Sequence, residues 1–158
     1  MSEPGPRASR PNASSGAAAA APGGRWHSRA VCASLPITTV AAERDELEAA
    51  HFSPRERAEL AGRHVQSVAG RLALKRALCE LFASVQPGVA LSPRDFEITD
   101  SPTGAPVLGP LPATLRDAPA ARRGRLFVSI AHSKAQAVGL VVQERTLDDR
   151  AEPAGDAR

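Results

Sequence analysis

Two cations lie four residues apart in the stretch GRLALKRAL, residues 70–78. With about 100° per residue, a helix would place Arg71 and Lys75 about 40° apart, on a stripe that also carries apolar residues such as Val68 and Phe82. Such cations can snorkel, with buried stems and hydrated heads. Alternatively, they can line a pocket that holds an anion, because a desolvated cation needs a partner. Helix geometry alone leaves both interpretations open.

A third cation, Arg76, follows Lys75 directly but points to another face of the same helix. It shares that face with Glu80, four residues further on, where an ion pair is possible. Arg76 is therefore expected to lie outside the apolar stripe.

A second group of polar side chains follows a predicted strand, in the stretch VSIAHSKAQA at residues 128–137. Ser129, His132, Ser133 and Lys134 offer hydroxyls, an imidazole and an ammonium, which are groups that bind phosphate. A connection between strands often carries ligand-binding residues. A serine and a histidine without a nearby aspartate do not predict a hydrolase triad.

Helical patterns occupy most of the first half of the chain. Residues 40–52 are helix-prone, and Ser53, Pro54 and Glu56 form the pattern of a capping box with proline at the first helical position. A long helix is predicted from about residue 65 to 84, and it carries the cationic stripe.

Strand patterns occur at the start of the domain and dominate its second half. The first, at residues 30–40, is interrupted by Pro36, and a Pro- and Arg-rich surface loop is predicted at 109–125. Helices followed by strands indicate an α+β domain, with helices packed on a small antiparallel sheet. The later predicted strands are residues 96–99, 105–108, 126–130 and 137–142.

The composition of the 158 residues limits the classes of function. The net charge is +3 and tyrosine is absent, so neither charge nor aromatic content favours a nucleic-acid-binding protein. Two cysteines, Cys32 and Cys79, predict neither a disulfide framework nor a metal site, and are expected to be reduced thiols of a cytoplasmic protein. No apolar run is long enough to span a membrane.

The two ends of the chain differ in composition from its centre. Residues 1–28 are rich in Ala, Pro, Gly and Ser and are expected to be a disordered tail, and so are residues 146–158. The folded domain is therefore predicted at about residues 29–145.

Four segments together resemble the 4'-phosphopantetheinyl transferases, especially the small holo-acyl-carrier-protein synthases. That family shows, in order, an F-S-x-x-E segment, an R-F-A-x-K-E-A helix, a strand with G-K-P, and a closing S-x-S-H hairpin. The matching segments here, in the same order over about 90 residues, are FSPRE (52–56), RLALKRA (71–77), FEITDSPTGAPVL (96–108) and VSIAHSKAQAVGLVV (128–142).

The resemblance implies both a fold and an activity. Members of the family use coenzyme A and Mg²⁺ to place a phosphopantetheine arm on a serine of an acyl carrier protein, in fatty acid biosynthesis. The small members assemble as homotrimers with active sites between subunits. By this resemblance Lys75 would stabilise or protonate the leaving group. The residues implied for coenzyme A binding are Arg71, Lys75, Arg76, Gly104, Pro106, Ser129, His132 and Ser133.

The chain departs from the family pattern where the metal ligands would be. Arg76 stands where the family has a glutamate ligand, and the stretch VCASLPITT (31–39) contains no carboxylate where the family has an aspartate. A guanidinium cannot ligate Mg²⁺. The G-K-P motif is GAP at residues 104–106. No metal ligand is therefore assigned.

Three hypotheses follow. The first is an active, divergent transferase. The second is a catalytically inactive relative that binds coenzyme A or another anion, with Arg76 contacting phosphate directly, and serves as a regulatory protein. The third is a helical scaffold that binds nucleic acid or acidic partners through its arginines.

Overall fold

A computed structural model of the chain describes residues 26–116 and 124–146. The tails predicted at 1–28 and 146–158 lie almost entirely outside these ranges. Their inner ends differ from the prediction, because Trp26 already begins a strand and Thr146 still ends one.

The first half of the fold is one strand followed by four helices. Strand β1 ends at Pro36, and the next residue begins a helix, so the strand predicted at 30–40 is too long at its end. The helix-prone stretch 40–52 is divided between two short helices. The bounds are β1 Trp26–Pro36, α1 Ile37–Ala42, α2 Arg44–His51, α3 Pro54–Leu60 and α4 Val65–Val85.

The second half contains a short hairpin and two long strands. The loop predicted at 109–125 includes one turn of helix, which the sequence patterns did not indicate, and residues 117–123 lie outside the described ranges. The bounds are a 3₁₀ turn Pro93–Asp95, β2 Ile98–Asp100, β3 Pro106–Leu108, α5 Ala113–Arg116, β4 Arg125–His132 and β5 Gln136–Thr146.

An antiparallel sheet of strand order β1-β5-β4 supports the long helix α4. Side chains alternate across this sheet, and on β5 residues such as Ala137 and Val141 belong to the buried core. Twelve residues of α4 are buried, because the helix packs against the sheet on one side and is covered by α1, α2 and the 3₁₀ turn elsewhere. The predicted α+β architecture is confirmed.

A glycine sets the distance between α4 and the sheet. A Cβ atom added at Gly139 would overlap the backbone of Leu74 and Ala73 on α4. The backbone of the central strand therefore touches the backbone of the helix, and a residue without a side chain is needed at this point.

The opposite face of the sheet carries no helix among the described residues. Rows of side chains cross it, and among them Phe127 is 49% exposed and Leu140 is 36% exposed. The rows, read from the strand register, include Ala30–Val142–Phe127, Cys32–Leu140–Ser129 and Ser34–Val138–Ala131. We call this surface the open sheet face.

Cys32 and Cys79 are free thiols in the structure, and their surroundings differ. Cys32 is exposed on the open sheet face, whereas Cys79 is half-buried on α4. Burial, together with the nearby Asp95, raises the pKa of the Cys79 thiol to about 11. None of the helices in the described ranges has the length and apolar character that crossing a membrane requires.

Candidate functional site

A cavity of about 190 Å³ lies where α4, the β2–β3 hairpin and the end of β4 meet. Its walls carry two arginines, Arg63 and Arg71, one histidine, His132, and one acid, Asp100. Gln66 and Ser67 add an amide and a hydroxyl. The hairpin adds Gly104 and Pro106. Three segments that are distant in sequence therefore contribute to one cavity.

Arg71 forms the buried wall of this cavity. Only 3% of the residue is exposed, and its guanidinium is 2.9 Å from Asp100 Oδ2 and 3.4 Å from Glu59 Oε2. The guanidinium of Arg63 lies 3.4 Å from the same Asp100 oxygen. One carboxylate oxygen thus bridges two arginines, which is the charge-assisted arrangement that guanidinium groups also offer to phosphate.

Arg63 is held in place by the connection between α3 and α4. Arg44 on α2 donates hydrogen bonds to the carbonyls of Leu60 and Arg63, at 3.2 Å and 3.1 Å. These bonds fix the backbone of the connection, while the side chain of Arg63 remains 55% exposed. Arg63 can therefore change its rotamer without disturbing the helices.

The β2–β3 hairpin positions Asp100 at the rim of the cavity. Asp100 is opposite Pro106 in the strand register, and the turn between them is closed by a hydrogen bond from Gly104 N to Ser101 O of 2.9 Å. Gly104 has a φ of 82°, a conformation that favours glycine. The predicted turn DSPTG and the glycine within it are therefore confirmed as structural features.

The β4–β5 turn brings only one of its polar residues to the cavity. His132 lines the cavity from the end of β4. The hydroxyl of Ser133 instead accepts hydrogen bonds from the backbone N–H groups of Ala135 and Gln136, each at 3.1 Å. Ser129 lies on the open sheet face, on the other side of the sheet.

Lys75 lies in the interior, and it is not among the residues that line the cavity. Its ammonium is 2.7 Å from Glu56 Oε2, donates to the carbonyl of His51 at 2.9 Å, and lies 4.5 Å from the centroid of the Phe52 ring. The residue has no exposed surface. The snorkelling interpretation is wrong for Lys75, whose head has no exposed surface, and Arg71 keeps only 3% of its surface exposed, where it lines the cavity. Both charged heads are paired with protein carboxylates.

Glu56 connects three parts of the fold. Its carboxylate accepts from the backbone N–H of Ser53 at 2.9 Å, from that of Ile98 at 2.9 Å, and from Lys75. The first of these bonds and the return bond from Glu56 N to Ser53 Oγ complete the predicted capping box. The pairing with Lys75 was not predicted, because nothing local in the sequence relates residues 19 positions apart.

Burial and neighbouring charges change two pKa values near this interior pair. Desolvation lowers the pKa of Lys75, although the carboxylate of Glu56 opposes part of this effect. The pKa of His51 is lowered by burial and then by the positive charges of Arg76 and Lys75. This shift favours the neutral form of His51.

Arg76 is exposed and does not line the cavity. Its positive charge contributes to the lowered pKa of His51, the last residue of α2. The predicted ion pair with Glu80 is not found among the ion pairs of the described residues. Arg76 thus remains a cation at the surface, beside the buried Lys75.

The residues present do not fit a Mg²⁺ site. Within residues 26–116 and 124–146, no three side chains of His, Cys, Asp or Glu come together to hold a metal ion. The acids nearest the cavity are already paired, Asp100 with two arginines and Glu59 with Arg71. Mg²⁺ prefers carboxylate and water oxygens, so this arginine-rich arrangement disfavours it.

Among the charged residues of the cavity, Arg63 and Asp100 were not nominated from the sequence. Arg63 lies just before α4 in the stretch AGRH, and Asp100 begins the turn DSPTG. No sequence pattern marks these two residues, because they become neighbours only when the β2–β3 hairpin packs against α4. Of the residues nominated for coenzyme A binding, the cavity brings together Arg71, Gly104, Pro106 and His132.

Comparison with solved structures finds close agreement of fold. An apo-ACPS from Chronobacterium ammoniagenes superposes with a TM-score of 0.62 at 20% identity, covering 77% of this chain and 99% of that chain. The holo-[acyl-carrier-protein] synthase from Helicobacter pylori, in complex with coenzyme A, gives 0.57 at 26% identity, covering 73% and 99%. A holo-(acyl-carrier-protein) synthase from Bacillus anthracis, in complex with CoA (3',5'-ADP), gives 0.57 at 24% identity, covering 73% and 95%.

Sequence comparison adds nothing to this agreement, since neither a family model nor a curated protein matches the chain. The structural likeness covers almost the whole length of each of these solved chains. The chain therefore has the 4'-phosphopantetheinyl transferase fold, of the holo-acyl-carrier-protein synthase type, as the four sequence segments predicted.

Proposed function

We propose that this chain, which has the holo-acyl-carrier-protein synthase fold, binds coenzyme A in the cavity and transfers its phosphopantetheine arm to a serine of an acyl carrier protein. One observation carries the proposal. Four residues nominated for coenzyme A binding from three separate sequence segments line a single cavity, and two of them, Arg71 and His132, offer donors to phosphate.

The proposed reaction is a phosphoryl transfer. The serine Oγ of the carrier protein attacks the β-phosphorus of coenzyme A, and a new P–O bond forms as the P–O bond to the bridging oxygen breaks. Adenosine 3',5'-bisphosphate leaves with the bonding electron pair, and the serine proton passes to solvent. Arg63, Arg71 and His132 would orient the phosphates and offset the negative charge of the leaving group.

Lys75 enters this proposal as a positioning residue. Its complete burial and its pairing with Glu56 argue against direct contact with the leaving group. The pair instead joins α3 to α4, the helix that carries Arg71. Ser133 and Arg76, which lie outside the cavity, are proposed to contact coenzyme A only beyond its edge, whereas Ser129 lies on the opposite face of the sheet and has no such contact in this proposal.

The test is a transfer assay read by mass spectrometry. The full chain is incubated with coenzyme A and apo acyl carrier proteins, with Mg²⁺ and with EDTA in parallel. The proposal expects the carrier protein to gain the mass of one phosphopantetheine group. Arg63→Gln should slow this gain, whereas Arg57→Gln, which removes an exposed arginine of α3 away from the cavity, should not. No mass gain on any carrier protein would contradict it.

A second candidate is favoured by the replacement of the metal ligands. The presence of Arg76 and the poor fit for Mg²⁺ support an inactive relative that binds coenzyme A and acts as a regulatory protein. Binding of coenzyme A without any transfer would favour this candidate. If Arg76→Glu then gained transfer activity with Mg²⁺, the lost acid would be the reason for inactivity.

Homotrimer formation is proposed as part of the same function, because the resemblance implies it and the open sheet face suits it. That face is a twisted three-stranded surface with Phe127 and Leu140 exposed at its centre. Size-exclusion chromatography with light scattering should give three times the chain mass. Leu140→Glu should yield the monomer, and Ala49→Glu, at an exposed site on α2, should not.

The cellular setting is proposed to be the cytoplasm. Two free thiols, one of them exposed, suit a reducing compartment.

A further inference from the structure

We infer that this cavity binds the phosphates of its ligand without a divalent metal ion, through Arg63 and Arg71, and that Asp100 is an internal anion which the ligand's phosphate displaces. The inference rests on the proposed function for the ligand, which is coenzyme A or its product adenosine 3',5'-bisphosphate. It adds the mode of phosphate recognition and a residue that limits affinity.

The two arginines are already arranged around an anion. Asp100 Oδ2 lies 2.9 Å from the guanidinium of Arg71 and 3.4 Å from that of Arg63, so a single oxygen occupies the point where both donors converge. A phosphate oxygen at the same point would make the same two contacts. A phosphate has more oxygens than a carboxylate, and these would be free to bind further donors of the cavity such as His132.

The charges favour this exchange. The guanidinium groups of Arg63 and Arg71 both contact Asp100. The other acid near Arg71 is Glu59, whose Oε2 lies 3.4 Å from the guanidinium. A phosphomonoester carries up to two negative charges where Asp100 carries one. Arg71 is almost fully buried, so the energy of its contact with an incoming dianion is less screened by water than it would be at the surface.

Asp100 can also leave without unfolding the site. Its side chain is 29% exposed, and it lies at the last position of β2, next to the turn. Rotation of its side chain would carry the carboxylate into water, while the hairpin would keep its backbone pairing between β2 and β3. Arg63, with its side chain 55% exposed, can follow a larger ligand.

The two arginines can also neutralise phosphate charge at a site that has no metal ligands among the described residues. A divalent ion in phosphoryl transfer neutralises the charge of the diphosphate. Here two arginines supply that charge, and the described residues supply no acid cluster for an ion. Phosphate binding should therefore be the same in EDTA as in millimolar Mg²⁺.

The experiment measures binding of coenzyme A, which carries the diphosphate, and of its product adenosine 3',5'-bisphosphate by titration calorimetry, each once in EDTA and once in Mg²⁺. The unmodified chain should give the same dissociation constant in both buffers. Asp100→Asn, which removes the competing charge but keeps the side-chain shape, should bind at least about fivefold more tightly. Arg63→Gln should bind more weakly.

Glu97→Gln is the matched control for Asp100→Asn. It neutralises an acid just before the same strand, whose partner is Arg55, 3.5 Å away and outside the cavity. Its affinity should stay close to that of the unmodified chain. Thermal unfolding of each variant shows whether it is folded, and the comparison of EDTA with Mg²⁺ needs no variant at all.

Binding that requires Mg²⁺, or equal or weaker binding by Asp100→Asn, would overturn the inference. An absence of bisphosphate binding in both buffers would overturn it as well. The outcome is separable from that of the transfer assay. Binding in EDTA without any transfer would support the inference and contradict the proposed transferase activity. Transfer together with binding that strictly requires Mg²⁺ would support the transferase activity and contradict the inference.

Discussion

The pair of Lys75 and Glu56 places two opposite charges where neither has any exposed surface. Such a pair contributes little net stability compared with apolar residues, but removal of one partner leaves a buried charge without compensation. Two backbone N–H donors also stabilise the buried charge of Glu56. Besides its carboxylate partner, Lys75 contacts one backbone carbonyl and one aromatic ring. At the scale of single residues, this pair is where the fold is most sensitive to substitution.

Lys75→Met should lower the free energy of unfolding by about 3–5 kcal/mol, because it leaves the carboxylate of Glu56 buried and uncompensated. The double variant Glu56→Gln/Lys75→Met should lose less than the sum of the two single variants. Urea unfolding measures all three. Arg76→Met, one residue along the same helix and exposed, should change stability by no more than about 0.5 kcal/mol. Additive losses would contradict a direct coupling.

His51 makes stability depend on pH in a known direction. Its pKa in the folded chain is lowered from the model-compound value of 6.5, so the unfolded chain binds the proton more tightly. The contribution of His51 to stability is therefore complete above pH 6.5 and is lost as the pH falls through the lowered pKa. Arg76→Gln removes one of the two cations that act on His51 and should raise this pKa, although burial still keeps it below 6.5.

An NMR titration of the His51 ring measures this change directly, and stability between pH 7 and pH 5 should decline less steeply in Arg76→Gln. Arg57→Gln removes an exposed arginine of α3, which is not among the groups that shift His51, and should leave the titration unaltered. An unchanged His51 pKa in Arg76→Gln would show that the surface cation does not act on the ring.

At the scale of elements, α4 carries a buried arginine into the cavity and a buried lysine into the interior, on one helix of 21 residues. Its position depends on the direct contact with the central strand. Gly139→Ala should reduce the free energy of unfolding by about 3 kcal/mol or more, because the added Cβ would overlap the backbone of Leu74 and neither backbone can yield easily.

Leu140→Ala, the next residue along β5, points to the open sheet face and should lose less than about 1 kcal/mol in the monomer. Thermal and urea unfolding compare the two variants under the same conditions. Equal losses would mean that the contact between Gly139 and α4 does not limit the packing.

Local patterns were sufficient to predict most elements. The capping box fixed the start of α3, and the predicted long helix at 65–84 differs from α4 by one residue. The single helical turn α5 was missed, since four residues give no periodicity to detect. Pro36 was treated as an interruption of a strand, whereas it ends β1 and precedes the first residue of α1.

The candidate site was predicted only in part. The prediction did not consider which face of a strand each side chain points to, and it could not relate residues that are distant in sequence. Side chains three apart on a strand point to opposite faces, so Ser129 and His132 could not both have reached one cavity. The bridging of Arg63 and Arg71 by Asp100 depends on the packing of the hairpin against α4. No local sequence pattern contains that information.

At the scale of the whole molecule, the open sheet face is the surface through which chains are proposed to associate. Cys32 lies on this face, opposite Leu140 in the strand register, and is therefore a reporter of whether the face is covered. Cys79 has a pKa of about 11 and forms almost no thiolate at pH 8.

Iodoacetamide should modify Cys32 slowly in the unmodified chain at concentrations where it is a trimer, and faster in Leu140→Glu, because the charged variant uncovers the face. Intact mass spectrometry follows the reaction, and Cys32→Ser removes the fast site. Cys79 should react only after denaturation. Equal rates in the unmodified chain and in Leu140→Glu would contradict association through this face.

The three connections of Glu56 also bear on the order in which the chain can fold. Its partners lie 3, 19 and 42 positions away, so the full set closes only after α3, α4 and β2 have come together. Closing the contacts over 19 and 42 positions costs more chain entropy than closing the local contact with Ser53. In a compact state that lacks α3, Lys75 has no carboxylate partner, so burial of its ammonium is unfavourable. The interior lysine thus disfavours compact intermediates that lack α3 and makes the last step of assembly cooperative.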